Sequence, residues 1–523
     1  MKPKASVVLI LFCLSLFTGV AAAENKTYDV DMVIVGGGLA GLVAANEAIE
    51  NNLNVLVLEK MPATGGHAVY FAGTLGINSR IDYANSVFYT VDEVFKTTME
   101  YIHWQGNARI IRKAYEMSAQ DIDWLAAHGT KFASTNPRTE YRDAMHTLHV
   151  FEGANGLTVV GGLAESYKKH GGKILLETPG KELIVKDGKV VGVMAENADG
   201  DKITVNAKAV LLATGGYADN KEWLRKYAGT DDVQFFFDNP KNRTGDGIRM
   251  AQAAGALLGS MNCIGMNVWF DFSFPLINTY VDQQGKRFVD EEHAIIAYPA
   301  LAKNVGHAYH IIDQNDVEMV MNKGINFPRF YDKSFSPEFN RDWIPWFNPE
   351  KQDFPQNPPS KPDNLGLTDT RDPSFQARLD KAVAEGRVVK ADTVEELAAK
   401  INVPADALKE TVKQVNAEYA AGYDREMLKM PAFLRTLNKP PFYATKFSRL
   451  AAWGTMGGVV TDEYARALNT NHEIIPGLYM GGLEIGGLYG DTYPYVAEGT
   501  SSAISIAMAR VAVWHVRDNL SKK

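Results

Sequence analysis

Six residues near the start of the chain, Gly36-Gly37-Gly38-Leu39-Ala40-Gly41, have the types and spacing to hold a pyrophosphate. Glycine at Gly36 permits a tight turn, at Gly38 it lets the backbone approach phosphate oxygens, and at Gly41 it lets a helix pack closely on a strand. A pyrophosphate so placed lies at a helix N-terminus, where unpaired N–H groups and the helix dipole favour negative charge. Glu59 stands 18 residues beyond Gly41, where an acid can accept from ribose hydroxyls. The chemistry is that of a bound dinucleotide, which means hydride and electron transfer.

The elements that must position these residues are equally legible. An apolar strand from Asp29 to Val35 enters the turn, an apolar-periodic segment follows to Ile49, and a second strand runs from Asn54 to Leu58 and ends at Glu59. Strand, turn, helix, strand and terminal acid in that order make a βαβ unit. FAD is favoured over NAD by what comes next: Glu59-Lys60 leads into Gly65-Gly66-His67, and a later glycine-rich strand end reads Ala213-Thr214-Gly215-Gly216.

A hairpin is expected from Leu183 to Val193, turning on Asp187-Gly188. The composition changes in the middle, where 327–363 is dense in proline and aromatics, including Trp343, Trp346, Phe347 and Phe354. Helices are expected after Thr393, which has capping-box spacing to Glu396, and from Ala405 to Tyr419. The fold class expected is α/β, a Rossmann-like FAD-binding domain (24–256 and 440–523) interrupted by an α+β capping domain (257–439).

Lys2 and Lys4, an apolar run from Val7 to Phe17 and the Ala21-Ala22-Ala23 site describe a secretory signal over 1–23, cleaved before Glu24. The mature chain is then expected in a periplasm, without a stable membrane anchor. Cleavage removes two lysines and no acid, taking the net charge from -8 to -10. That balance argues against nucleic acid and suits a basic redox partner. Cys263 is the one cysteine left, which excludes a disulfide, a thiolate metal site and C-x-x-C-H haem attachment, so no metal is expected and electrons must come from another protein.

Gly65-Gly66-His67, Ala213-Thr214-Gly215-Gly216-Tyr217, Thr244-Gly245-Asp246-Gly247, the run Gly285 to Glu291, Thr455-Met456-Gly457-Gly458 and Pro476-Gly477-Leu478-Tyr479 occur in this order along the chain. In this the sequence resembles the family of soluble fumarate reductases, urocanate reductases and 3-ketosteroid dehydrogenases, over essentially the whole mature chain. The resemblance implies FAD contacts at Ala40, Lys60, Gly65, Gly66, His67, Ala72 and Gly73. Further contacts are implied at Thr214, Gly215, Asp246, Gly482, Leu483 and Glu484, and at Ser502, Ala503 and Ile504, where a helix beginning near Ser501 would face flavin N1 and O2. It also implies that the middle region is a mobile cap over the flavin ring, and that Arg287 supports the fold. FAD is expected to be non-covalent, with a covalent link through His67 as the alternative, because related membrane-bound enzymes carry a flavin-linked histidine there.

The departures from the family carry the most information. Gly454 stands where fumarate reductases have a substrate-binding histidine, Tyr493 where they have an arginine, and Ile295 where they have the proton-donating arginine. The family's A-G-E reads Gly481-Gly482-Leu483, with Glu484 displaced by one. A desolvated dicarboxylate needs paired charge, so fumarate is not the expected substrate. Tyr298, Tyr493 and His293 are the proton-carrier candidates.

The expected function is reduction of an activated C=C bond, in an enoate or enone, with electrons from a separate c-type cytochrome during anaerobic respiration. Two alternatives share the fold. One is a 3-ketosteroid-like dehydrogenase, suggested by Tyr493-Pro494; the other is an acrylate- or methacrylate-type monocarboxylate reductase with Arg449 or Arg243 as anchor. A flavin-binding electron carrier without catalysis of its own is a third possibility.

Overall fold

In a computed structural model the chain is described over residues 25–135, 145–229, 233–235, 241–272, 274, 278–291, 306–323 and 372–521. The strand Asn25–Val35 is exposed over its first half and buried over its last four residues, Met32 to Val35. Its buried end pairs in parallel with Val55–Leu58 on one side and Lys202–Leu212 on the other. Val55-Leu56-Val57-Leu58 is buried at every position, the pattern of a parallel strand covered on both faces. The sheet runs, in spatial order, 466–468, 474–480, 202–212, 25–35, 55–58 and 173–175. The expected hairpin is present: Gly180–Lys186 and Lys189–Glu196 pair antiparallel, and Asp187 (φ 50°) and Gly188 (φ 72°) make the primed turn.

The helix Leu39–Glu50 is buried from Leu39 to Ala48. It needs partners on more than one side and has them in the helices Thr500–Leu520 and Leu157–Lys169. Its polar residues are satisfied inward. Asn46 Nδ2 donates to the Leu163 carbonyl at 2.9 Å. Arg510 spans Glu47 at 2.8 Å and Asp121 at 2.6 Å, tying this helix to the terminal helix and to Ala108–Ala127. Burial pushes Asp121 up to about 7 against the pull of Arg510.

A second sheet of six strands is built around Phe442–Thr455, which pairs with 233–235, 264–270, 309–313 and 388–391, while 279–281 lies beside 309–313. Among the described residues four helices accompany it, Gln314–Asn322, Phe375–Ala384, Val394–Ile401 and Ala405–Ala421. Strands and helices segregate here, as expected of an α+β unit. Two apolar cores of its own hold it together, one around Phe272 and Phe375 and one around Leu397 and Leu408. Phe442–Thr455 runs through the middle of this sheet, beyond the boundary expected at 440, and ends at the wall of the first unit.

The Gly285–Glu291 run anchors this second unit. The Arg287 guanidinium is fully enclosed by Glu291 (2.7 Å), Asp424 (2.6 Å) and Glu418 (3.0 Å). Lys429 adds a second cation 3.2 Å from Glu291. Burial raises the Glu291 carboxyl, but Lys429 and Arg287 together hold it below its ordinary value. Arg287 is thus a structural centre rather than a group facing a ligand.

Among the described residues no helix is long and apolar enough to cross a membrane. The signal over 1–23, the aromatic segment 327–363, and His293, Ile295 and Tyr298 lie outside the described residues.

Candidate cofactor and active site

The glycine turn, the second strand end, the 213–216 loop and the 481–483 loop converge on one open cleft. Its geometry requires glycine at two positions. Gly36 has φ +111°, and a Cβ there would lie 2.2 Å from the Ala213 carbonyl oxygen. A Cβ on Gly41 would lie 1.9 Å from the Gly36 carbonyl oxygen. The helix therefore starts as close to the strand as backbone permits, with Gly38, Leu39 and Ala40 on the cleft wall.

Glu59 lines the cleft and is already engaged. One carboxylate oxygen accepts from the Gly37 N–H at 2.7 Å and the other from the Met61 N–H at 2.8 Å. It thus braces the turn, and burial raises its carboxyl despite these bonds. Lys60 reaches across to Asp246 at 2.7 Å and to the Thr244 hydroxyl at 3.1 Å. Burial raises Asp246, but the bond and charge of Lys60, the Thr244 hydroxyl and the charge of Arg249 together outweigh it and leave the carboxyl below its ordinary value.

Gly66, His67, Thr214 and Gly215 also line the cleft, as do Gly482 and Leu483. Burial, with Arg243 nearby, pushes the His67 imidazole down to about 3, so it is neutral at working pH. Its Cε1 lies 3.8 Å from where a Cβ on Gly454 would be. The histidine of the 65–67 turn therefore fills the space beside the position from which a histidine is missing.

Other residues expected to contact the cofactor are not on the cleft lining. Gly65 donates its N–H to the Gly37 carbonyl at 2.8 Å and holds the two glycine turns together. The Ala72 carbonyl accepts from the Phe151 N–H, and the Gly73 carbonyl accepts from the Ser502 hydroxyl at 2.8 Å. Ala503 is buried, and Ile504 lines a smaller neighbouring cavity.

The one-residue displacement at 483–484 has a clear structural outcome. Leu483 faces the cleft, whereas Glu484 is wholly buried and accepts from the Thr214 N–H at 2.6 Å and the Thr214 hydroxyl at 2.8 Å. Burial pushes its carboxyl up to about 8, against the bonds from Thr214. The folded state then keeps a proton that the unfolded state releases above about pH 4.5, so stability falls as pH rises between that value and 8. We expect the melting temperature of flavin-free protein to fall by roughly 2–4 °C more between pH 5 and 8 in wild type than in Glu484→Gln. Scanning calorimetry at the two pH values measures the difference; parallel slopes would refute the buried titration.

A ring cluster beside the start of the terminal helix involves the last predicted residue. Tyr493 is buried and packs 5.2 Å from Trp453, 5.2 Å from Tyr495 and 5.3 Å from Tyr489, centroid to centroid. Its hydroxyl accepts from the Ser501 N–H at 3.3 Å, in the first turn of the terminal helix. Burial raises its phenol far above the ordinary value. The cations of the cleft are committed elsewhere: Lys60 to Asp246, and Arg243 to Asp219 at 2.8 and 3.0 Å.

Sequence reasoning did not single out Asn242, Pro179-Gly180 or Ser505, all on the cleft wall. Asn242 directly precedes Arg243 and the T-G-D-G run, which was the available signal. Ser505 lies four residues past Ser501 and one helical turn would have brought it to the same face.

A family model described as "FAD binding domain" matches residues 31–499. Among curated proteins, a vinyl phenol reductase from Lactiplantibacillus plantarum is 28% identical over 90% of this chain and 92% of its own length. A fumarate reductase (cytochrome) from Shewanella frigidimarina is 26% identical over 90% of this chain and 74% of its own. Among solved structures, a 3-ketosteroid-Δ4-(5α)-dehydrogenase from Rhodococcus jostii RHA1 superposes with a TM-score of 0.70 at 22% identity. That alignment covers 96% of this chain and 99% of the other, and it supports the fold.

Proposed function

The chain belongs to the FAD-binding domain family and is an FAD-dependent oxidoreductase acting on CH–CH groups, and from that premise we propose that it reduces an uncharged, conjugated C=C bond. The observation that carries this reading is the cluster of Trp453, Tyr489, Tyr493 and Tyr495 where a dicarboxylate enzyme needs cations. A carboxylate entering this region would lose its hydration while the cations described in the adjoining cleft, Lys60 and Arg243, are already paired with Asp246 and Asp219, which is unfavourable. An aryl or enone group instead gains ring contacts and apolar burial. The full-length similarity to a vinyl phenol reductase supports the same class.

The cleft residues fit the cofactor: the glycine turn and helix start would hold the pyrophosphate, Glu59 the ribose, and the 481–483 loop the inner chain. Bound FAD supplies a hydride to one alkene carbon. The protein orients the alkene, excludes water and delivers a proton to the other carbon. For that proton, Tyr493 is our choice among the described residues, with Tyr298 and His293 as further candidates. FAD is held non-covalently in this reading, with a link through neutral His67 as the alternative. In this reading residues 257–439, with most of the strand Phe442–Thr455, act as the cap between the FAD-domain segments expected at 24–256 and 440–523.

The physiological setting we propose is periplasmic, following signal cleavage after Ala23, with electrons from a separate c-type cytochrome. The acidic balance of the chain and its lack of a C-x-x-C-H motif support an external donor. A ketosteroid-like dehydrogenase is the second reading, favoured by the Tyr493 hydroxyl held at a helix N-terminus, where it could polarise a ketone.

The test is a panel assay on FAD-loaded protein with reduced viologen. Vinylphenols and enones should exceed fumarate and acrylate by at least about 100-fold in kcat/KM, the cost of an unpaired buried charge. Brisk turnover of fumarate would overturn the substrate class. Steroid oxidation with dye, without alkene reduction, would favour the second reading.

A further inference from the structure

Gly482 and Leu483, on the cleft wall, also line a second, small cavity whose other walls include Met456, Tyr489, Ser501 and Ile504. Tyr489 is 1% exposed, and its hydroxyl has no hydrogen-bond partner among the described residues. Native proteins rarely leave a buried hydroxyl unmade, because its desolvation is not recovered. Around it the wall is apolar, formed by Met456, Leu483, Leu488 and Ile504. The other polar feature is the start of the 21-residue helix Thr500–Leu520, to which Ser501 and Ile504 belong.

An occupant shared with the cleft must therefore pass Gly482, offer an acceptor to a phenol, and tolerate or prefer partial negative charge at a helix N-terminus. A planar ring edge with carbonyl oxygens meets all three requirements. We propose that the Tyr489 hydroxyl donates a hydrogen bond to a pyrimidine carbonyl of the bound flavin, on the edge that the terminal helix faces. This rests on the FAD assignment and not on the choice of substrate. Burial keeps the Tyr489 phenol protonated far into the alkaline range, so it serves as a permanent donor. A donor at this edge stabilises the reduced flavin, whose added negative charge resides there, relative to the oxidised form.

The experiment compares FAD-loaded wild type with Tyr489→Phe, which keeps the ring and its packing on Tyr493. The variant should bind FAD about three- to tenfold more weakly, the worth of one hydrogen bond. Its flavin carbonyl bands in the infrared should move to higher frequency, and its midpoint potential should become more negative. Incorporating 3-fluorotyrosine at position 489, a stronger donor, should move bands and potential the opposite way. Carbonyl bands and potential unchanged in both forms would overturn the proposal. So would an effect confined to KM for the alkene, which would put the hydroxyl on the substrate. A wild-type protein that takes up no flavin would remove the cofactor assignment itself, a failure distinct from an unmoved band in loaded protein.

Discussion

Tyr493→Phe should lower kcat by about 100-fold, the lower end for loss of a positioned proton donor, while leaving FAD bound. The ring is buried among Trp453, Tyr489 and Tyr495, and phenylalanine keeps those contacts. What disappears is the hydroxyl that accepts from the Ser501 N–H at 3.3 Å. With its lone pair so engaged, the hydroxyl proton is the part left to act. Burial raises the phenol, so it stays protonated as pH rises, and the wild-type rate should acquire no alkaline limb from this residue between pH 6 and 9. Stopped-flow oxidation of prereduced enzyme by substrate separates the chemical step from product release. An unchanged rate constant for flavin oxidation in Tyr493→Phe would move the proton to Tyr298 or His293.

The second large effect concerns stability. Arg287→Met should destabilise the second unit by about 3–5 kcal/mol at pH 7, the cost of removing one partner from a buried ion pair. Glu291 and Asp424 are both buried and would be left facing one another, with Lys429 as the remaining cation close to Glu291. In wild type Glu291 is held below its ordinary value, so its contribution is present above the unfolded value near 4.5 and is lost as pH falls through the lower folded value. In the variant one of the stranded carboxylates takes up a proton, and the deficit should shrink from pH 7 to pH 5. Urea unfolding at both pH values measures it. A deficit equal at the two values would show that lost packing, not stranded charge, is responsible.

How much of this was legible in the sequence depends on the range of each interaction. The βαβ unit was read closely, apart from a first strand that starts at Asn25 rather than Asp29, because its signals are local: an apolar strand, a glycine turn, an apolar-periodic helix and a terminal acid within about 30 positions. The terminal helix, expected near Ser501, begins at Thr500 for the same reason. Glu484 could not be placed, because its partner Thr214 is 270 positions away and a shift by one residue leaves no local mark. Likewise the R-F-V-D-E run announces a structural arginine, but nothing near Glu418 or Asp424 announces that they surround it. The aromatic cluster was half visible: Tyr493 and Tyr495 are two positions apart in sequence, whereas Trp453 joins them only through the fold.

One element belongs to both units. The 14-residue strand Phe442–Thr455 spans at most about 46 Å, with its early residues in the core of the second sheet. At its other end, the Thr455 hydroxyl accepts from the Tyr217 N–H at 2.9 Å, on the cleft wall. Were the second unit to rotate about the Gly454 end of this strand, about one degree would displace the far end by up to about 0.8 Å, while the cleft end would scarcely move. A strand shared in this way would let a large peripheral movement coexist with a nearly fixed cleft wall.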